Sequence, residues 1–429
     1  MSSAVTFTLP ASFDPGEFLT GRLMLRADDA RWLLSTIVRK TATRDTDVWG
    51  CVRLHSDILR RIMDKHSMGD VIRALEHGGA IETYPYCAGV KAKGYRLAKR
   101  YLGDRCVRVL AVDPRLLTRL EQERQRLDAE ESQSRWKPIH YLLDAEQRRL
   151  TIDGAADAIV DTLPEHTRLC QHVLVTRLRH REYPFSVGST GRVFNAVTGL
   201  KRELRGALRI NGETIGGVDI ACAQPALLAL EMALTVPPNG PKPWATYKHY
   251  PAGAPSCALP ALPFPSPALA LPACTSNGFL RLYASLVLGG QLYEYLMELT
   301  GLDRDTVKLA FLRDVLAKKG RYPSVVERAF RGAFPNVYAF IRTVNRNDHG
   351  ELIRRLQRAE SWLVIEQVAP RLIGRLPVVT LHDAIYSTLR SLATVEEAFA
   401  EVFDAIGFRL ALKREAGLVT IQESEKRTD

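Results

Sequence analysis

The sequence lacks the cysteine spacing of a disulfide framework or of a zinc site. Its seven cysteines are odd in number, lie far apart and form no C-x-x-C pair. No run of about 18 apolar residues occurs, and the N-terminal segment has no basic stretch followed by an apolar core. We therefore expect cysteine thiols in a reducing compartment, no membrane partner and a cytoplasmic location.

Acidic residues are too few to balance the basic ones. Among 429 residues, 59 Lys and Arg face 48 Asp and Glu, so the formal net charge is +11. Such an excess favours a polyanionic partner, and nucleic acid is the first candidate. The hydrophobic content of 46% is typical of a globular chain, and the length allows for about two or three domains.

Residues 50–110 predict a compact unit of two short helices followed by a β-hairpin. Ser56 is expected to cap the first helix. Ser67 and Asp70 resemble a capping box for the second helix, which the Gly78-Gly79 pair would end. This order of elements resembles a winged-helix module.

The predicted hairpin of this module is strongly basic, and its basic side chains are interleaved with tyrosines. This combination suits a phosphate backbone and exposed bases. A protein-docking module is an equal alternative, because the second helix carries Asp70 and Glu76 beside Arg73. We predict an N-terminal winged-helix-like nucleic-acid-binding domain over residues 1–120, with primer or template contacts from Lys91, Lys93 and Arg96.

Composition distinguishes three further segments. Residues 121–143 are dense in alternating charge and predict a solvated helix or linker. Residues 144–184 have the amphipathic pattern of helices. Residues 236–274 hold 11 of the 23 prolines and no acidic residue, so they predict an irregular, Pro-rich surface insertion.

Two aspartates interrupt apolar segments that predict strands. Asp219 ends the apolar approach in GGVDIACAQPALLALEM, and a turn then leads into an apolar helix. Asp383 follows His382 inside the apolar run LPVVTLHDAIYSTLR, which predicts a second strand. A buried carboxylate is costly unless it is paired or bound to metal. Two of them favour a shared divalent cation, whereas one isolated buried aspartate is more often a capping or hydrogen-bonded residue than a catalytic one.

The segment RDTVKLAFLRDVLAKKG predicts a helix, with Asp303 as its cap and Gly320 at its end. Arg304 and Lys308 are one turn apart on this helix, so they lie on the same face. They can present two cations to one triphosphate. Such a pair is also typical of a solvated helix face.

In order and spacing these elements resemble the polymerase core of family A DNA polymerases. Asp219 falls at the family's first metal-binding aspartate, in motif A. Arg304 and Lys308 match the Arg-x-x-x-Lys of the nucleotide-binding fingers helix, motif B. His382 and Asp383 match the His-Asp of motif C.

Three shorter matches extend the similarity over about residues 145–415. The segment STGRVFNAVTGLKRELRGALRI resembles the family's Thr-Gly-Arg segment, which implies that Arg192 contacts the primer–template duplex. The segment VERAFRGAFPNVYAFI resembles the stretch after the fingers helix. The segment LQRAESWLVIEQVAPRL resembles the Gln-bearing helix before motif C, which implies a template or primer contact for Gln357.

Several positions depart from the family pattern. Ala384 follows the motif C aspartate where the DNA polymerases have Glu, and a small residue also stands there in the single-subunit phage-type RNA polymerases. Gln224 stands where the DNA polymerases carry a Glu that screens the sugar. In the fingers helix Phe311 is one residue early, and Leu312 and Leu316 replace the family's Phe and Tyr. We find no carboxylate cluster resembling a proofreading exonuclease.

The resemblance implies an α+β, right-hand polymerase fold with an antiparallel palm sheet, helical fingers and a helical thumb. The thumb-like helices would be residues 144–184. The palm would comprise residues 185–235, with motif A, and 351–429, with motif C. The fingers, with motif B, would be residues 275–350.

The implied activity is that of a DNA-directed DNA polymerase without proofreading, which extends a primer by two-metal phosphoryl transfer. The cofactor would be two Mg²⁺ ions, with Mn²⁺ as an alternative, and the partners would be nucleoside triphosphates and a DNA or RNA primer–template. Asp219, Asp383 and the backbone carbonyl of Ile220 would hold the metals. Lys308 would protonate the leaving group, and His382 would hold the primer terminus. Nucleotide contacts are implied for Arg304, Lys308, Gln224, Phe311 and Leu312.

Two alternatives stay open at this point. An RNA polymerase or primase is favoured by Ala384 and Gln224. An inactive polymerase relic that binds nucleic acid through its winged helix is the other, and the presence of both Asp219 and Asp383 argues against it.

Overall fold

A computed structural model describes residues 4–43, 45–47, 50–85, 92–131, 136–233 and 278–415. Lys91 and the Pro-rich insertion lie outside these ranges. The fold is mixed α+β with antiparallel sheets, 57% helix and 14% strand, which confirms the predicted class. The chain forms two compact units. The first comprises residues 1–134, 151–183 and 196–208, and the second comprises residues 135–150, 184–195 and 209–429.

The strands are short, and every pairing described below is antiparallel. In chain order they are β1 (Thr6–Pro10), β2 (Val52–Arg53), β3 (Ile81–Tyr84), β4 (Gly94–Leu97), β5 (Cys106–Leu110), β6 (Leu150–Ile152), β7 (Ser186–Val187), β8 (Val193–Phe194), β9 (Leu208–Ile210), β10 (Glu213–Ile220), β11 (Val379–Leu381), β12 (Ala384–Thr388) and β13 (Leu412–Glu415).

The helices supply most of the regular structure. In chain order they are α1 (Ala27–Ala42), α2 (Ser56–Ile62), α3 (Met68–His77), α4 (Pro114–Glu131), α5 (Pro138–Gln147), α6 (Ala155–Thr162), α7 (Glu165–Arg179), α8 (Ala223–Ala233), α9 (Gly278–Leu288), α10 (Leu292–Thr300), α11 (Arg304–Ala310), α12 (Val325–Ala333), α13 (Pro335–Val344), α14 (Glu351–Ser361), α15 (Ala369–Leu372) and α16 (Leu392–Ile406). Two of them continue as π-helical segments, α11 through Phe311–Leu316 and α14 through Trp362–Val368.

The first unit is organised around α1. Leu33, Leu34 and Ile37 of this helix are fully buried, at the spacing of one helix face. The face packs on α7, α3 and β1, and β1 pairs with β5. Since β5 also packs on α7, residues 1–120 share one hydrophobic core with residues 151–183.

The helix pair and hairpin predicted near the N-terminus are present, with different helix caps. His55, not Ser56, caps α2, because its imidazole Nδ1 accepts the N–H of Asp57. Ser67 precedes α3 but makes no capping hydrogen bond, and its hydroxyl donates to Asp64 instead. β3 and β4 pair, and β2 adds to β4, so the sheet order is β2-β4-β3.

The segments predicted as linker and amphipathic helices differ partly from expectation. Residues 114–131 form helix α4, one of the two predicted outcomes. Within residues 144–184 the strand β6 separates α5 from α6. Periodicity did not show it, because three residues are too few to establish an alternating pattern.

The sheet of the second unit is centred on β10. β12 pairs along one edge of β10, β13 pairs along the other, β9 pairs near its start, and β11 pairs with β12. Gly216 and Gly217 allow this close approach. A Cβ at Gly217 would lie 2.8 Å from the Tyr386 ring, and one at Gly216 would lie 2.8 Å from Leu389. Any larger residue would push the neighbouring chain away from the strand that carries Asp219.

Candidate active site

Asp219 lies near the end of β10, between two neighbouring strands. It is in register with Ala384 of β12 on one side and with Lys413 of β13 on the other. The backbone N–H of Ile220 donates to the carbonyl oxygen of Asp383 at 3.3 Å. The fold thus brings the two predicted metal-binding aspartates to neighbouring positions, although 164 positions of sequence separate residues 219 and 383.

His382 and Asp383 form the turn between β11 and β12, so the predicted single strand is instead a hairpin. His382 has φ 56°, in the left-handed region that residues with a Cβ seldom adopt. Its imidazole contacts the ring of Phe194 edge-on, with 6.1 Å between the ring centroids. A turn can place two consecutive polar side chains at the end of a sheet, whereas a continuous strand would point them to opposite faces.

The surroundings of Asp383 raise the pKa of its carboxyl to about 7. Burial is the largest cause, and the negative charges of Glu360 and Asp219 add to it. A backbone hydrogen bond and the charge of Arg192 oppose the rise. The charges of Glu360 and Asp219 therefore oppose ionisation of Asp383, and a divalent cation would relieve this repulsion.

The donor set fits a hard divalent cation. Carboxylate and carbonyl oxygens are the ligands that Mg²⁺ and Mn²⁺ prefer, and Asp219, Asp383 and the backbone carbonyl of Ile220 are such donors. Across the described ranges, however, no group of three or more His, Cys, Asp or Glu has the arrangement of a metal site. The fit to a metal therefore rests on the two aspartates and on the raised pKa.

Glu360 is a third carboxylate in the site, and the sequence analysis did not identify it. The residue is only 1% exposed. The Arg192 guanidinium donates from Nε and Nη2 to its two oxygens at 2.8 and 2.7 Å. Gln224 Nε2 donates to its Oε2 at 2.8 Å. Burial raises the pKa of Glu360, and these two partners oppose the rise.

One sequence signal pointed to Glu360. The buried face of α14 includes Leu352, Leu356 and Ala359, and Glu360 lies on that face, one turn after Leu356. An acidic residue on an apolar helix face requires a buried partner. The sequence could not name the partner, because Arg192 lies 168 residues away.

Arg192 occupies a different environment from the one predicted. Its side chain is 19% exposed, and both donor groups that face Glu360 are engaged in the bidentate pair. In this structure Arg192 forms an ion pair with the buried Glu360, and the duplex contact stays a prediction. In this geometry Arg192 neutralises the charge of Glu360 and holds its carboxylate in place.

The two predicted cations of α11 are on the surface. Asp303 caps α11 as predicted, because its carboxylate accepts the N–H of Thr306 at 3.0 Å. Arg304 Nε donates to Glu294 at 2.9 Å, and its guanidinium lies 5.5 Å from the centre of the Tyr293 ring. Lys308, one turn further, is exposed. Both cations can therefore meet an anionic ligand.

The second half of this helix differs from expectation. It runs on as a π-helix and ends before Ala317, three residues short of Gly320. Phe311 is fully buried and packs on Phe330, with 5.2 Å between ring centroids. Leu312 is partly buried against the same core. Phe311 therefore has a packing role in place of the predicted nucleotide contact.

Three other described residues are predicted to contact primer or template. Gln357 is partly exposed on α14. Lys93 lies over the Tyr95 ring at 5.7 Å. Arg96 pairs with Glu82 across the hairpin and lies over Tyr84.

A metal-independent test of the site uses the pKa of Asp383. Because this pKa is about 7 in the folded state and its ordinary value is 3.8, the folded state binds the proton more tightly. The resulting stability is present at acidic pH and is lost as pH rises through 7. In EDTA, Asp383→Asn should therefore gain stability over the wild type between pH 4 and pH 8, by up to about 4 kcal/mol.

Thermal or urea unfolding at both pH values measures this gain, and groups remote from the site contribute equally to the two proteins. The interactions of residue 383 with Glu360 and Asp219 are part of the measured gain. Mg²⁺ added at pH 8 should stabilise the wild type more than the variant. A stability difference that does not change with pH would contradict the proposed environment of Asp383.

The four cysteines within the described ranges are present as thiols. In the same ranges no helix is long and apolar enough to cross a membrane. Comparison of the sequence with protein-family models and with curated proteins found no match.

Proposed function

We propose that this chain is a template-directed nucleotidyltransferase, specifically a DNA-directed DNA polymerase without proofreading. The observation that carries the proposal is the position of Asp219 and Asp383, which lie together at the end of an antiparallel sheet. Partly buried carboxylates in that arrangement suit the binding of divalent cations to a polyanionic substrate.

In this proposal the second unit is a right-hand polymerase core. The sheet around β10 corresponds to the palm, and the helices from α9 to α13 correspond to the fingers. In the first unit, α1, β2, α2, α3, β3 and β4 follow one another in the order of a winged helix. The antiparallel sheet order β2-β4-β3 supports this correspondence.

The residues of the site would have different roles in the proposed reaction. Asp219, Asp383 and the Ile220 carbonyl would hold two Mg²⁺ ions, which when bound supply Lewis-acid stabilisation to phosphoryl transfer. Arg304 and Lys308 would bind the triphosphate, and Lys308 can deliver a proton to the departing pyrophosphate.

His382 would donate a hydrogen bond to the primer terminus. The left-handed backbone of this residue and the contact with Phe194 hold the imidazole at the turn beside Asp383. The exposed ring of Phe194, at 42%, leaves an apolar surface next to the imidazole.

The direct test is primer extension. The protein is incubated with labelled primer–template, Mg²⁺, and either dNTPs or rNTPs. A blunt-ended duplex, which offers no template overhang, serves as the control. Template-dependent addition of dNTPs is the expected result. No addition under any condition would favour the inactive relic.

A second candidate function is RNA polymerase or primase. It is favoured by the small Ala384 after Asp383, and by Gln224 at the position expected to face the sugar. Efficient use of rNTPs, or initiation without a primer, would select this candidate.

Sugar choice is predicted to depend on the size of Gln224. The side chain keeps the volume of a glutamate, and volume excludes a ribose hydroxyl, so dNTPs should be preferred. Gln224→Ala should raise ribonucleotide use by about tenfold relative to dNTPs, the usual scale for one pocket contact. Competition of dATP against ATP measures the effect, and unaltered selectivity in the variant would contradict it.

The basic hairpin of the first unit has fewer available cations than the sequence implied. Arg96 of the hairpin pairs with Glu82. In the flanking segment Arg105 pairs with Asp161 and Arg108 pairs with Glu182. Lys99 is exposed, and Lys93 lies over Tyr95. These two lysines are therefore the better candidates for phosphate contacts.

If this module binds nucleic acid, Lys93→Gln with Lys99→Gln should weaken binding and lower the salt slope by about two units. Point substitutions are preferable to removal of residues 1–120, which would expose the face of α7 that α1 covers. Arg105→Gln is the matched control, since Asp161 already neutralises that cation. An unchanged slope in the double variant would assign the module to protein docking.

A further inference from the structure

Gln224 and Arg192 form a hydrogen-bonded group around the buried Glu360 that joins three separate segments of the second unit. Gln224 lies in the first turn of α8, Glu360 lies near the end of α14, and Arg192 lies in the turn between β7 and β8. Glu360 is the acceptor in all three hydrogen bonds. Removal of Glu360 would therefore release both other side chains at once.

The group determines which end of the Gln224 amide faces the site. Both oxygens of Glu360 accept hydrogen bonds from Arg192, so only the NH₂ end of the amide can face Glu360 favourably. The Oε1 atom must then point away from Glu360. Among the described residues this buried atom has no hydrogen-bond donor, although buried polar atoms are nearly always satisfied. The bond from Nε2 to Glu360 is therefore what orients the amide.

The hydrogen-bonded group lies close to the proposed reacting centre. Gln224 is five residues after Asp219 in sequence, and Asp219 and Asp383 mark the centre of the proposed reaction. Glu360 affects that centre directly, because its charge is among the causes that raise the pKa of Asp383.

We propose that Glu360 is a positioning residue that controls sugar selectivity by holding the Gln224 amide in one orientation. The inference rests on the proposed function, since sugar selectivity requires nucleotide addition. While Glu360 holds Nε2, the amide keeps its place and its bulk opposes a 2′-hydroxyl. Once Glu360 is removed, the amide can rotate or withdraw, and the ribose gains room.

The experiment is a double-mutant cycle read as a ratio of efficiencies. The values of kcat/KM for dATP and for ATP are measured with wild type, Glu360→Ala, Gln224→Ala and the double variant. Glu360→Ala should lower the dATP/ATP ratio by about two- to tenfold, the range for one hydrogen bond. The double variant should show the same ratio as Gln224→Ala, because the amide is already absent there.

The ratio separates a positioning role from a structural one. A role in folding alone would lower both efficiencies equally and leave the ratio unchanged, and that result would overturn the inference. An additional fall of the ratio in the double variant would overturn it as well. If the wild type adds no nucleotide at all, the proposed function fails instead, and the two failures remain distinct.

Glu360→Gln provides the test if Glu360→Ala does not fold. This variant keeps the volume but has only one acceptor oxygen, for which Arg192 and Gln224 compete. A fall in the dATP/ATP ratio of about twofold or more is expected, at the lower end of the range for one hydrogen bond. A wild-type ratio in folded Glu360→Gln overturns the inference.

Discussion

Asp219→Asn and Asp383→Asn are each expected to abolish primer extension. Asn keeps the volume of Asp but removes the negative charge that a divalent cation needs. The loss of several kcal/mol of charge stabilisation in the transition state corresponds to a rate reduction of about 10³-fold or more. The rate is measured in single-turnover extension assays with excess enzyme.

Folding should survive these substitutions, because the excess negative charge at the site already opposes burial of the carboxylates. Duplex binding, measured by fluorescence anisotropy, should remain near the wild-type value. Asp404→Asn is the matched control, since Asp404 is exposed on α16 and pairs with Arg409. Wild-type extension by either active-site variant would refute the two-metal assignment.

Arg192→Met is expected to reduce the free energy of unfolding by about 3 kcal/mol, the usual effect of removing one partner from a buried ion pair. Methionine retains most of the apolar stem of arginine but leaves Glu360 buried without its cation. Urea unfolding at pH 8 measures the loss. The loss should shrink at acidic pH, because a protonated Glu360 no longer requires a countercharge.

A matched control exists in the same unit. Arg414 forms a bidentate pair with Glu396, but both side chains are well exposed to solvent, at 52% and 32%. Exposed pairs contribute little, so Arg414→Met should cost less than about 1 kcal/mol. Equal losses in the two variants would mean that the Arg192–Glu360 pair stabilises the fold no more than an exposed pair does. The proposed structural role of Arg192 would then be wrong.

Several features of the site were predictable from short stretches of sequence. The end of a strand at Asp219 follows from an apolar run that stops at a carboxylate, and the structure confirms it. The start of α11 follows from Asp303, whose side chain can satisfy an N–H of the first turn. Such signals depend on neighbours a few residues away, so a short segment of sequence is enough to predict them.

Other features depend on which distant segments meet. Glu360 pairs with residues 168 and 136 positions away, and a periodic pattern along one helix cannot specify such a partner. Phe311 looked available for a nucleotide because it lies in a motif, whereas its burial depends on how α12 packs beside it. The sequence therefore determined the chemical types at the site and the strand that carries Asp219. Only the tertiary structure decided which carboxylates share a location and which cations are already paired, because long-range packing sets burial and burial sets the free energy of each charge.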